Sequence, residues 1–517
     1  MAEYLLGIDA GTESIRTGVF DLKGNILGFG SHPYETYYQN PGWAEQKVED
    51  WRKALIQSMI EAIHISGINP QDVIAIGLDA TCCSVVFFDE YNRPTRDPII
   101  WMDVRSSEEA KFIESIDDPA RGYNGYSKVS AEWFPCKNLW VKKNQPEIYK
   151  KTKLIAEYTD WLTYELTGEW TLGICTTSVR GYYDNERGGF PREFYKKIGL
   201  EDIFEKLPKK VLKLGEIAGI LRKEVAEKTG LREGIPVAQG GADAMIAVIG
   251  LNALKTGQLA YITGSSHLLL GMSDKRFHTK GLFGTYPDAI IDGAYLIEGG
   301  QTSTGSVLKW FKTNLINKKI EEEAEKERLS IYEYMNQQAE LLPPGSEGVI
   351  VLEHWQGNRT PYVDPYSRGV IRGLSLKHTP AHIYRAIMEG VAYGTEIILR
   401  TMKNSDFEVK EIIACGGTTN SRLWLQIYAD VTGLPIKRTT TVEAAALGSA
   451  ILGAVAAGKY RNINDAANRM VKVKDTVNPN MENHEKYKFF VDQYEKTYWA
   501  LKDSAYDLSY HMYNLNS

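Results

Sequence analysis

Cysteine is scarce in this 517-residue chain. Its five cysteines, Cys82, Cys83, Cys136, Cys175 and Cys415, form no C-x-x-C pair and have no Cys/His ligand spacing. This excludes a disulfide scaffold and a zinc-built fold, and it points to a reducing cytoplasm. Excess positive charge is also lacking. The formal net charge is −6, and without a basic face to neutralise phosphates, nucleic acid is not an expected partner. The longest apolar run, Ala444 to Ala457, contains Gly448 and Gly453 and falls short of the roughly 20 residues that cross a bilayer. The opening Met1-Ala2-Glu3-Tyr4 has neither a basic nor an apolar leader segment, so no membrane association is expected. G-x-x-x-x-G-K-[ST], a strand followed by G-x-G-x-x-G, H-R-D and D-F-G are all missing. The P-loop, Rossmann and protein-kinase routes to a nucleotide are therefore unsupported.

What is present is a strand that runs into a small-residue turn and back out: Leu5-Leu6-Gly7-Ile8-Asp9-Ala10-Gly11-Thr12-Glu13-Ser14-Ile15-Arg16. Glycine and small hydroxyl residues let backbone N–H groups converge on an anion. Asp9 places a carboxylate where a phosphate-bound Mg²⁺ needs one. Alone, the segment reads equally as an ordinary hairpin. A second copy about half the chain away, Leu259-Ala260-Tyr261-Ile262-Thr263-Gly264-Ser265-Ser266-His267, puts Gly264-Ser265 where Gly11-Thr12 stand. Two such units imply a duplicated α/β fold facing a nucleotide cleft, with domains of about 250 residues each and a boundary near Gly250 to Gly257.

Periodicity predicts strands at Val73 to Asp79, Ser84 to Asp89 and Glu411 to Cys415. It predicts helices at Trp51 to Ile65, about Ser421 to Thr432 and Val442 to Ala457, and a charged helical stretch from Asn317 to Leu341. The segments Glu108 to Lys153 and Tyr182 to Leu214 read as an insertion that covers a substrate. Gly240-Gly241-Ala242-Asp243 follows a strand at the mouth of a helix. Asp243 is either an N-cap or a general base that takes a proton from a substrate hydroxyl. Gly416-Gly417-Thr418 is either a generic strand-to-helix turn or a flat seat for an adenosine.

The ordered set Gly7-Ile8-Asp9-Ala10-Gly11-Thr12, Gly42-Trp43-Ala44-Glu45-Gln46, Gly240-Gly241-Ala242-Asp243, Thr263-Gly264-Ser265-Ser266 and Gly416-Gly417-Thr418 resembles the FGGY family of carbohydrate kinases over nearly the whole chain. The resemblance implies two ribonuclease-H-like, actin-like ATPase domains with an interdomain cleft: residues 1–252 bind the sugar and 253–517 the nucleotide. It implies ATP and Mg²⁺ as cofactors, with Asp9 holding the metal. Gly11, Thr12, Thr263, Gly264 and Ser265 would bind phosphates, Gly416, Gly417 and Thr418 would bind adenosine, and Asp243 would be the catalytic base.

Around Asp79, Cys82 and Cys83, and at Asp103, Arg105, Glu298 and Gln356 to Pro361, the chain is similar to ribulose-type pentulokinases. Asp79, Asp103 and Glu298 are expected to accept hydrogen bonds from sugar hydroxyls. Cys82 and Cys83 are expected to form a small polarizable wall rather than to act as thiols. Val104, Ser265 and His267 depart from the D-ribulokinase-like pattern, which has His, Thr and Thr there, and Val104 and His267 are expected to reshape the sugar end. The expected partner is a small sugar or polyol, a ribulose-type pentulose first. Tetritols, tetruloses, xylulose and glycerol stay open, as does a homodimer. The alternative from another class is a non-catalytic actin-fold nucleotide switch.

Overall fold

The computed structural model describes residues 2–125 and 128–516. Two seven-stranded sheets carry the chain. In the first, the hairpin Tyr4–Ala10 and Ser14–Asp21 is flanked by Ile26–Pro33 on one side and by the parallel strand Val73–Ala80 on the other. In the second, the hairpin Gln258–Thr263 and His267–Ser273 is flanked by the antiparallel Tyr295–Gln301 and the parallel Glu411–Gly416. Hairpin, outer antiparallel neighbour and inner parallel neighbour thus occur twice in the same order. The burial explains the near-continuous apolar runs: every residue from Leu5 to Ala10 is buried, as expected of strands covered on both faces.

The helix expected at Trp51 to Ile65 spans Val48–Ser66 and stops at Gly67 in the left-handed region, φ 65°. The stretch Asn317 to Leu341 is not one helix. It breaks into Lys318–Lys326 and Ile331–Glu340, the second opened by a reciprocal Ser330/Glu333 capping box. The segment expected to cover a substrate builds its own core: Trp133, Tyr182 and Tyr195 are fully buried there with Phe87 and Ile155.

The Ala/Gly-rich helix Ala444–Ala456 belongs to the second half of the chain, yet it packs on the first sheet. Backbones touch there. A Cβ on Gly7 would stand 1.9 Å from the Ala446 carbonyl oxygen, and one on Gly77 1.7 Å from that of Ser449. Glycine is therefore required at both strand positions, and the helix needs small residues to come so close. The chain midpoint is not the packing boundary, because this helix lies against Asp243–Gly250 and the first sheet together. Among the described residues, no helix is long and apolar enough to cross a membrane.

Candidate active site

The two hairpin turns, the end of Val73–Ala80 and the start of helix Asp243–Gly250 enclose a cavity of about 390 Å³. Its lining includes the acids and turn residues Asp9, Thr12, Arg16, Asp243, Ser266 and Gly416, and also Cys82, Cys83, Trp101, Glu132, Arg180 and Arg359.

Around Asp9, register brings carboxylates together. Asp9 is opposite Arg16 across the hairpin and opposite Asp79 on the parallel neighbour. Asp9 Oδ2 accepts from Arg16 Nη2 at 2.8 Å, while its buried Oδ1 has no partner. Asp79 Oδ2 accepts from Ser449 Oγ at 2.7 Å, and its Oδ1 is likewise buried and unpartnered. Burial raises the pKa of Asp9 against the pull of Arg16, and burial together with Asp9 pushes Asp79 well above the carboxylate range. Asp9 lines the cavity with an unpartnered carboxylate oxygen, the donor type a hard divalent cation takes, so it fits Mg²⁺, while Asp79 lies fully buried behind it.

Asp243 is the first residue of its helix rather than the N-cap, a position held by Ala242. Its Oδ1 accepts the Ala244 N–H at 2.7 Å. Burial and then Asp9 raise its pKa to about 7, against the lowering by that amide and Arg16. A carboxylate poised there, open to the cavity, suits a general base.

The phosphate-type turns are used unequally. Gly11 N–H donates to Ser14 O at 3.0 Å and closes the first turn, and Thr12 Oγ1 accepts from Trp101 Nε1 at 2.9 Å. Gly264 and Ser265 are exposed on the cleft rim. The Ser265 carbonyl accepts N–H groups from Thr304 at 2.9 Å and Ser306 at 3.2 Å, which fixes the second turn to helix Gly305–Leu315. Ser266, not Ser265, lines the cavity. Thr263 Oγ1 donates to the Cys415 carbonyl at 2.9 Å and accepts the Thr418 N–H at 3.3 Å. Gly416 has φ 95°, and a Cβ there would stand 1.9 Å from the Thr263 carbonyl oxygen. Gly417 is exposed and Thr418 buried.

Several expectations for the sugar end need correction. Asp103 does not reach the cavity. It is fully buried, accepts the Ala44 N–H at 2.6 Å and is paired with Arg105 at 2.7 Å, whose guanidinium lies 3.8 Å over the Trp43 ring. Asp79 is beneath the metal-fitting end rather than on the sugar wall. Glu298 does face the cavity, but its oxygens are held by Arg180 at 2.8 and 2.9 Å and by Arg359 at 2.5 Å. These cations lower its pKa against burial, so what faces a ligand is two guanidinium groups. His267 turns away into the core, bound to Tyr261 and Tyr428, and burial lowers its pKa to about 3. Val104 is exposed beside Gly42. Cys82 and Cys83 do line the wall. Sequence reasoning missed Arg180 and Glu132. Arg180, one cation closing the small neutral run Cys175-Thr176-Thr177-Ser178-Val179, was the available signal.

A cleft between two like-built sheets, with paired turns on one side and an acid at a helix start, defines a phosphotransferase of the actin-like architecture. The profile for the FGGY family of carbohydrate kinases, N-terminal domain, matches residues 4–250, and that for the C-terminal domain matches 259–457. A ribulokinase from Geobacillus thermodenitrificans is 34% identical, covering 96% of this chain and 94% of its own length. A human FGGY carbohydrate kinase domain-containing protein is 29% identical, covering 96% of this chain and 98% of its own. The structure of a ligand-bound xylulose kinase from Lactobacillus acidophilus superposes with a TM-score of 0.87 at 20% identity, over 98% of this chain and 100% of that one, a likeness of fold. The chain belongs to the FGGY family of carbohydrate kinases and is a sugar kinase.

Proposed function

We propose that this kinase transfers the γ-phosphoryl group of ATP, with Mg²⁺, to a hydroxyl of a ribulose-type pentulose. The observation that carries the reading is Asp243, which lines the same cavity as Asp9, Arg180 and Arg359, with its pKa raised to about 7. The pentulose class is supported by the curated relatives that are 34% identical and named ribulokinases.

Asp9 would hold Mg²⁺, which when bound supplies charge neutralisation at the phosphates. The turn at Gly11-Thr12 and the rim at Gly264-Ser265-Ser266 would cradle the phosphates with backbone N–H groups and hydroxyls. Gly416 to Thr418 would seat the adenosine. Arg180 and Arg359, fixed by Glu298, donate to the acceptor's oxygens, and Trp101 and the Cys82/Cys83 wall limit its size. Asp243 takes the proton of the acceptor hydroxyl as that oxygen bonds to the γ-phosphorus and the bond to ADP breaks. Closure of the cleft on the bound sugar would keep water from competing as acceptor.

The test is ADP release with ATP and Mg²⁺ over L- and D-ribulose, xylulose, ribitol, erythritol and glycerol. A ribulose should give the highest kcat/KM. A faster xylulose, erythritol or glycerol reaction would overturn the substrate class, and release that no sugar stimulates would favour a nucleotide switch.

A further inference from the structure

None of Gly42-Trp43-Ala44-Glu45-Gln46 lines the cavity, yet its last side chain reaches the first hairpin turn. Gln46 is buried. Its Nε2 donates to the Thr12 carbonyl and to Thr36 Oγ1, each at 2.8 Å, and its Oε1 accepts from Trp51 Nε1 at 3.0 Å. The residues before it are anchored elsewhere: Glu45 pairs with Arg105 at 2.7 Å and with Arg96, and the Arg105 guanidinium covers the Trp43 ring. Adjacent side chains of an extended segment go to opposite sides, so the anchor at Glu45 turns Gln46 towards the turn.

Tyr34 meets the same turn. Its hydroxyl donates to the Gly11 carbonyl, and its N–H donates to the Glu13 carbonyl at 3.1 Å. Both arms rest on one aromatic stack, the Trp51 and Tyr158 rings 3.6 Å apart. Trp51 holds Gln46, and the Tyr158 hydroxyl donates to that of Tyr34 at 3.4 Å. The flanking carbonyls are taken as well, Ala10 by the Thr81 N–H and Ser14 by the Gly11 N–H, each at 3.0 Å. By contrast, the Thr12 and Glu13 N–H groups donate to no protein acceptor among the described residues.

We infer that Gln46 and Tyr34 are positioning residues for this turn, each aiming one backbone N–H at a phosphate oxygen. The inference rests on the reading of the turn as a phosphate seat. A carbonyl and the N–H of the next residue belong to one rigid plane and point opposite ways. Tyr34, by holding the Gly11 carbonyl, aims the Thr12 N–H, and Gln46, by holding the Thr12 carbonyl, aims the Glu13 N–H. Two successive free N–H groups make a concave anion seat. Glycine at position 11 makes the pins necessary. Without a Cβ, the peptide after it can turn over at little steric cost, and that would put a carbonyl oxygen against the phosphate.

The test is calorimetry of the full chain with ATP and with adenosine, both in Mg²⁺, for the unsubstituted protein, Gln46→Met and Tyr34→Phe. Methionine keeps the length of glutamine without its donor, and phenylalanine lacks only the hydroxyl. Each variant is expected to bind ATP about fivefold more weakly, as for one lost hydrogen bond, with adenosine affinity and the KM for sugar nearly unchanged. A purely structural role would lower the unfolding temperature and leave the ratio of ATP to adenosine affinity as it was. Should Gln46→Met fail to fold, Tyr34→Phe tests the neighbouring peptide by itself. An unsubstituted protein that binds ATP no more tightly than adenosine would overturn the phosphate seat and the inference together. A preference for ATP that folded variants keep, or an equal weakening of both ligands, would overturn the inference and leave the seat standing.

Discussion

The two hairpins share one topology and carry opposite chemistry. At the end of the first strand, Asp9 keeps a buried carboxylate oxygen without a partner, with Asp79 in register beside it. At the equivalent end of the second, Ile262 stands where Asp9 does, and the adjacent Thr263 uses its hydroxyl on the neighbouring Cys415 carbonyl and Thr418 amide, with Gly416 as its register partner. The first half holds unsatisfied charge and the second a closed neutral clamp. Duplication supplied two matching frames; the residue at the end of the central strand decides which one acts on charge and which one shapes a surface. The acid beside the first frame, Asp243, is raised by its burial and then by Asp9, and nothing equivalent occurs at Thr263.

Removing charge from the first half should have the largest effect. Asp243→Asn is expected to lower kcat by about 10²–10⁴-fold while calorimetry shows ATP binding nearly kept. An unchanged kcat would remove Asp243 from the mechanism.

The unsubstituted enzyme should lose kcat/KM about tenfold per pH unit below pH about 7. The reason is that a base with a raised pKa is protonated, and so unable to accept the hydroxyl proton, below that value. A profile flat from pH 8 to 5 would contradict this.

In the second half, Gly416→Ala puts a methyl into backbone space at positive φ. It should destabilise the fold by about 1–3 kcal/mol and raise the KM for ATP more than it lowers kcat, as thermal unfolding and steady-state kinetics will show. The smallest effect is expected for Thr263→Val. Loss of its hydrogen bonds should cost about 1 kcal/mol, seen as a several-fold higher KM for ATP with kcat nearly unchanged. A kcat loss matching that of Asp243→Asn would erase the distinction between the halves.

The frames and the acids were legible because each is local. Gly7 to Thr12 and Gly240 to Asp243 are short strand-turn patterns whose backbone geometry follows from their own residues. What was not legible depends on facing direction or distant pairing. His267 is one residue from the cavity-lining Ser266 and Leu268, and strand alternation turns it to the other side. Asp103 is drawn under the wall by Arg105, itself packed on Trp43. Glu298 meets Arg180 and Arg359 from separate elements, so neither its committed oxygens nor the two cations it presents could be read from the motif around it.

The contact of Gly7 and Gly77 with helix Ala444–Ala456 limits how the enzyme can open. With carbonyl oxygens pressed against strand Cα positions and Ser449 tied to Asp79, the helix behaves as an axle embedded in the first sheet. Sliding of the helix along the sheet would drive these backbone atoms into one another. Asp79, on the strand this helix presses against, is tied to it through Ser449, which holds the carboxylate pair in register.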